Sequence, residues 1–211
     1  YKYTSRIQGY VDVTLLKGLT FRMTQGFTFG DNVSRSTYGR DSYTTVMANG
    51  DKTSATATST HNYSWTNQNI LSYVKEFNRN HRINATAVFE QMYSDDFIHK
   101  TEAKGGLVST IIGANNTALG DVMYASGERT KTAMMSWMGR VNYVLMDRYM
   151  LTASWRYDGS SRLDKDNRWE QFPSVALAWN AKQERFLRDV NFLSQLKLRV
   201  GYGETGNQAV E

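Results

Sequence analysis

The chain has 211 residues, no cysteine, a formal net charge of +5 and a pI of about 9.3. That composition excludes disulfide staples and thiolate chemistry, and no run of about 20 apolar residues is present to cross a membrane as a helix. The basic residues are scattered through turns, loops and one face of each predicted strand, with no cluster or basic helix, which argues against nucleic acid as a partner.

Side chains alternate across a β-strand, so strict apolar/polar alternation marks a two-faced strand. Arg6–Leu15 sets Ile7, Gly9, Val11, Val13 and Leu15 against Arg6, Gln8, Tyr10, Asp12 and Thr14. Lys17-Gly18 makes a tight turn into Leu19–Phe29, where Phe21, Met23, Phe27 and Phe29 share a face that Gln25 interrupts. Residues 30–60, rich in Ser, Thr, Asp and Gly, are predicted to be loop. The next hairpin is His61–Phe77 and Arg82–Tyr93, joined at Asn78-Arg79-Asn80, and residues 95–129 are again predicted to be a long polar loop.

The strongest pattern is residues 136–158, SWMGRVNYVLMDRYMLTASWRYD. Trp137, Gly139, Val141 and Tyr143 share one face. After a turn at Asp147-Arg148, Tyr149, Leu151, Ala153, Trp155 and Tyr157 line one face, with Met150, Thr152, Ser154, Arg156 and Asp158 opposite. A loop over Gly159–Glu170 leads to a seventh strand, Phe172–Trp179, which begins with the one proline, Pro173, where a strand tolerates it. The eighth is Leu196–Tyr202, and Ala181–Phe192 between them has room for one short helical turn.

The predicted connections alternate between short and long for most of the chain. Outer-membrane barrels sort their loops in this way, with short periplasmic turns and long extracellular loops. Mean hydropathy of −0.55 is no objection, because half of each spanning strand faces water. The 13 Tyr and 5 Trp suit interfacial belts, with Trp137, Tyr143, Tyr149, Trp155, Tyr157, Trp179 and Tyr202 expected at or near the lipid. Arg6, Arg22, Arg140, Arg156 and Arg199 all fall on the polar face, as they must if an arginine facing lipid at the midplane costs about 2–4 kcal/mol. The expected fold is therefore all-β: an antiparallel transmembrane β-barrel segment of eight strands. A soluble β-sandwich adhesin remains the alternative, since it too would set its arginines outward. Tyr1-Lys2 opens the chain without a signal segment and Glu211 follows a strand closely, so residues 1–211 are expected to be an internal part of a barrel domain.

Residues 136–208 carry an ordered set of motifs. They run SWMGRVNY, RYMLTA, RYDGSSR, NRW and FPSVALAW, then LKLR, GYG and TGNQ. This set resembles the SusC/RagA-type TonB-linked transporters of Bacteroidetes outer membranes. Leu163 stands where that family usually has Phe, and Glu170 follows Trp169 where Gly is common. The resemblance implies a barrel of about 22 strands, with the plug domain, the TonB-contacting box and the remaining strands outside this chain. It implies energised import of a bulky nutrient, glycan or peptide, through TonB and with a SusD-like surface lipoprotein, and no enzyme activity. A passive porin is the runner-up.

Among candidate site residues, Asp158, Arg162, Arg168 and Trp169 cluster around the DGSSR turn and are the expected substrate contacts, Trp169 by stacking on a sugar. The plainer account is that Gly159 lets the strand exit sharply while Asp158 and Arg162 pair to order the loop. Ser160 and Ser161 have no nearby histidine to act as a base, so nucleophilic catalysis is not expected. His61, His81 and His99 stand 20 and 18 positions apart, without metal-ligand spacing, and no glycine run forms a phosphate cradle; no metal or cofactor is expected.

Overall fold

The computed structural model describes residues 1–39, 42, 53–78, 80–105, 113–188 and 190–206. It forms one antiparallel sheet whose strand order is the chain order, β1 to β8. The strands are β1 (Lys2–Leu16), β2 (Leu19–Tyr38), β3 (Ser54–Phe77), β4 (His81–Lys104), β5 (Val122–Leu145), β6 (Tyr149–Ser160), β7 (Trp169–Asn180) and β8 (Lys197–Gly203).

Several strands outrun the expected bounds. Residues 30–38 and 54–60 extend β2 and β3, and 95–104 and 122–129 extend β4 and β5; all four stretches were expected to be loop. The reason is physical. Alternation is visible only where one face must be apolar, and these extensions carry polar side chains on both faces while their backbone ladder continues. Such long strands exceed the about 9–11 residues that a tilted strand needs to cross a bilayer. β7 likewise begins at Trp169, inside the expected 159–170 loop. The β7–β8 connection falls where expected and carries the expected short helical turn: a 3-10 turn at Ala181–Gln183 is followed by a single turn of helix, α1 (Arg185–Arg188).

Two compact units are distinguished, one of Tyr1–Ile7, Phe27–Trp65 and Ser94–Lys131, the other of Gln8–Gly26, Thr66–Tyr93 and Thr132–Glu211. In the first, Ala55, Ala103 and Ala114 form a small buried cluster. The Ala114 amide donates to Thr37 Oγ1 (3.3 Å), and Gly105, at φ +72°, donates its amide to the Thr53 carbonyl (2.8 Å). In the second, a hydrogen-bonded rim ties the short turns together. The Val74 amide donates to the Gly18 carbonyl (2.7 Å), Met146 to Asn80 (2.6 Å) and Asn180 to Arg148 (2.7 Å). Met146 and Asp147, the central pair of a three-residue hairpin connection closed by the Arg148 amide on the Leu145 carbonyl (3.0 Å), both sit at positive φ, 52° and 56°.

Among the described residues, the buried apolar side chains are all alanines, whereas Ile7, Val11, Leu177, Leu198, Val200 and Tyr202 are exposed. A sandwich of two sheets would seal such residues between its layers. Here one sheet carries them on an open face.

Candidate functional site

The registers of β5 to β8 fix which side chains share a face. Val141, Ala153, Val175 and Tyr202 lie in one row across the four strands, Tyr143, Leu151, Leu177 and Val200 in the next, and Leu145, Tyr149, Trp179 and Leu198 in a third. The intervening rows hold Arg140, Ser154, Ser174 and Gly203, then Asn142, Thr152, Ala176 and Gly201. The apolar face and the polar face are thus continuous across strands.

The apolar face is bounded at two levels. Near the short turns, the Tyr149 hydroxyl (2.7 Å) and the Trp179 indole N–H (3.2 Å) both donate to Glu184 Oε1, while Arg148 donates to Glu184 Oε2 (3.2 Å). Tyr143 reaches His81 Nδ1 (2.6 Å) at the same end. The Tyr149 hydrogen bond and, after it, that of Trp179 hold the Glu184 carboxyl below its ordinary value. At the other level, Phe89 packs on Trp137 with ring centroids 4.3 Å apart, and Trp155, Tyr157 and Trp169 stack in series at 5.7 and 4.9 Å. Tyr149 and Tyr157 are eight residues apart, which at about 3.3 Å per residue and a tilt of about 40° is about 20 Å of height. An apolar band of that order between two aromatic levels is what an outer-membrane barrel presents to lipid.

The polar face carries a charged cluster. Arg156 Nε meets both Asp158 carboxylate oxygens (2.8 and 2.7 Å), and its Nη2 donates to Ser136 Oγ (3.1 Å). Asp158 is 7% exposed and Ser136 2%. The expected Asp158–Arg162 pairing is not formed: Arg156, two residues back on the same face, takes the carboxylate, and Arg162 is exposed beyond the strand end. On the same face Thr152 Oγ1 donates to Asn142 (2.9 Å), and Ser154 and Ser174 share a 2.7 Å bond. In β1 and β2, Arg22 is bidentate to Asp12 (2.6 and 2.7 Å).

The four candidate contact residues do not converge. Arg168 is half-buried; its carbonyl accepts from the Ser160 amide (3.0 Å), and its Nε is buried with no hydrogen-bond partner among the described residues. Trp169 shares its face with Trp155 and Tyr157, opposite Gly159. The Gly159 position is open because a Cβ there would lie 2.7 Å from the Trp169 ring. The sequence showed a glycine at a strand exit; the ring that needs it came from a residue read as loop.

The Gln25 interruption belongs to a row of amides. The Gly18–Val74 bond and the approach of Gly26 to Thr66 Oγ1 set Gln25 across from Asn67. Asn67 donates to Gln91 (3.5 Å) and Asn69 to Asn67 (3.2 Å), whereas Gln25 Oε1 is buried without a partner among the described residues. In the first unit, an open hollow of about 490 Å³ is lined by Phe29, Tyr63 and Phe97 and by the His61–Asp31 (2.6 Å) and Arg129–Asp95 (2.7 Å) pairs. No group of metal-binding side chains occurs among the described residues, and no described helix is long and apolar enough to cross a membrane.

Comparison with known proteins agrees with this two-faced wall. No protein-family model matches the chain. It is 56% identical over 81 residues, 38% of its length, to the TonB-dependent receptor SusC of Bacteroides thetaiotaomicron, of which it covers 8%. It is 32% identical over 215 residues, 98% of its length, to the TonB-dependent receptor P3 of Formosa agariphila, of which it covers 20%. The chain therefore spans a fifth or less of these relatives. Its fold superposes on a solved structure of the RagAB peptide transporter with a TM-score of 0.85 at 21% identity, over 99% of this chain and 23% of that one. On its sequence and its single antiparallel sheet together, the chain belongs to the SusC/RagA-type TonB-dependent receptors.

Proposed function

We propose that this chain forms part of the wall of an outer-membrane importer that takes up a bulky nutrient, glycan or peptide, with energy delivered through TonB to a plug outside this segment. The observation that carries the reading is the continuous apolar face between two aromatic levels, backed by a polar face that holds Arg140, Arg156 and Arg199. Lipid takes the first face and an enclosed aqueous lumen the second. The membership in the TonB-dependent receptors supports energised rather than passive passage, and the likeness in fold to a RagAB peptide transporter supports a large cargo and a SusD-like surface partner. Arg162 and Arg168, at the end of β6 away from the short turns, are the candidates to meet cargo. Asp158 positions Arg156, and Trp169 completes the outer aromatic level.

The test is uptake by cells that carry or lack the full-length receptor, supplied with a fluorescein-labelled oligosaccharide or oligopeptide. Uptake of one probe that needs both the receptor and TonB is the expected result. Receptor-dependent uptake that persists without TonB would make the wall a passive channel, and this reading would fall.

A further inference from the structure

The β7–β8 connection presents two phenylalanines that stand exposed among the described residues. Phe192 is 91% exposed and Phe186 70%. A phenyl ring is a large apolar surface, of the order of 150–250 Å², and the connection that carries these two is not loose. Lys182 Nζ donates to the carbonyls of Leu187 (3.0 Å), Arg188 (3.2 Å) and Val190 (2.7 Å), closing the segment on itself. Glu184, immediately before α1, is held by Tyr149 and Trp179, both in the outermost row of the apolar face. The connection therefore leaves the sheet on its apolar side, at the level of the short turns.

Charge accompanies the rings. Arg185 and Arg188 flank Phe186, both exposed and neither with a carboxylate partner among the described residues. Over 181–192 three cations stand against two acids, Asp189 counted, and Glu184 is already taken by Arg148. Beside the tether, the apolar face holds a hollow of about 490 Å³ between Tyr143, Leu151, Leu177, Trp179, Leu198 and Val200. Two exposed aromatics, two exposed arginines and an adjacent oily trough match the three parts of one ligand: interfacial carbon, phosphate and acyl chain.

We propose that this connection binds an anionic phospholipid of the periplasmic leaflet. Phe186 and Phe192 enter the boundary between headgroups and acyl chains, Arg185 and Arg188 meet the phosphate, and an acyl chain lies in the hollow beside Trp179. The inference rests on the reading that the apolar face meets lipid. It adds a specific lipid contact at the foot of the wall, where a basic amphipathic surface gains from anionic headgroups.

The experiment uses the full-length receptor, freed of other cysteines, in vesicles of phosphatidylethanolamine and phosphatidylglycerol. Nitroxide labels are placed at Phe192→Cys and, as a reference in mid-band, at Val175→Cys. Both labels are expected to collide with dissolved oxygen far more than with a water-soluble nickel chelate. A Val175 label in lipid with a Phe192 label in water overturns the proposal while the membrane reading stands, and would turn the two rings toward a periplasmic protein. A Val175 label in water overturns both. In native mass spectrometry the unaltered receptor is expected to retain phosphatidylglycerol over phosphatidylcholine, and R185Q and R188Q each to reduce that preference about fivefold. Equal retention of the two lipids by the unaltered receptor would also overturn it.

Discussion

The indole of Trp169 occupies the space that a side chain at residue 159 would fill: a Cβ built on Gly159 would stand 2.7 Å from three of its ring atoms. The two residues are opposite one another in the β6–β7 ladder, and the same ring stacks on Tyr157 at 4.9 Å. A glycine in a strand sacrifices packing, and a cross-strand aromatic that covers it restores what was lost. Gly159→Ala should therefore push the ring off Tyr157. Because Trp169 is partly exposed and can swing outward, the cost should be about 1 kcal/mol, the low end of overpacking. Trp169→Ala should remove most of that penalty, so the double variant should lose less than the sum of the single ones. The urea midpoint of the full-length receptor in detergent reads both.

Arg156→Ala should destabilise by about 1–3 kcal/mol, since it leaves the buried Asp158 carboxylate without its charged donor. Adding Asp158→Asn should recover part of the loss, because a neutral amide is cheaper to leave unpaired there. If the double variant were less stable than Arg156→Ala alone, the carboxylate would owe its stability to something other than this pair. The same urea midpoint decides it.

A lysine scan along β7 separates the two faces. Val175→Lys puts a charge in mid-band on the apolar face and should cost about 2–4 kcal/mol. Ala176→Lys, one residue on and facing the polar rows of Thr152 and Gly201, should be tolerated. The yield of correctly folded full-length receptor in vesicles is the measure, and similar yields for the two variants would contradict the assignment of faces.

Gln25 offers a stabilising change. Its Oε1 is buried without a partner among the described residues, so Gln25→Leu exchanges an unmet acceptor for apolar surface of similar volume. A gain of about 1 kcal/mol is expected, read as a higher heat-modification temperature on gels. Asn67→Leu should lose stability instead, as it strands the Gln91 Oε1 acceptor and the Asn69 amide donor.

The tether at Glu184 has a defined response to acid. Its carboxyl is held below the ordinary value by the hydrogen bond from Tyr149 and then that from Trp179, with burial opposing them and the charge of Arg148 adding the least. A depressed carboxyl contributes fully above its unfolded value, about 4.3 for glutamate, and the contribution is lost as pH falls through the lower folded value. A spin label at Phe186→Cys should thus keep its mobility from neutral pH through the ordinary carboxylate range and loosen only below it. Glu184→Gln should abolish that acid step. Loosening that begins above the free-glutamate value would contradict the linkage.

Alternation made β5, β6 and β7 legible almost residue by residue, because Trp137 to Tyr143 and Tyr149 to Tyr157 set an apolar face against a polar one. The same rule hid the far reaches of β2 to β5. In those reaches polar and charged side chains stand on both faces, among them Asn32 and Arg35, Asp96 and His99, Ser126 and Arg129, and no period of two remains to be seen. The partner of Asp158 was missed for a different reason: a carboxylate at a strand end can be met from the loop ahead or from the strand behind, and spacing does not choose between Arg162 and Arg156. Register does, since Arg156 lies on the same face, beside Ser136. Gln25 was visible as an interruption, but only the cross-strand ladder assembles it with Asn67 and Gln91.

Strand order that equals chain order has a consequence for how such a wall can change over time. Each hairpin touches only the one before and the one after, and the links among the short turns run stepwise from Gly18 to Val74, from Asn80 to Met146 and from Arg148 to Asn180. At the opposite ends of the strands the described contacts reach further along the sequence, as where the Ala114 amide meets Thr37 Oγ1. A wall registered step by step at one rim can therefore lengthen or shorten its other rim one hairpin at a time, provided that the few bridges there are kept.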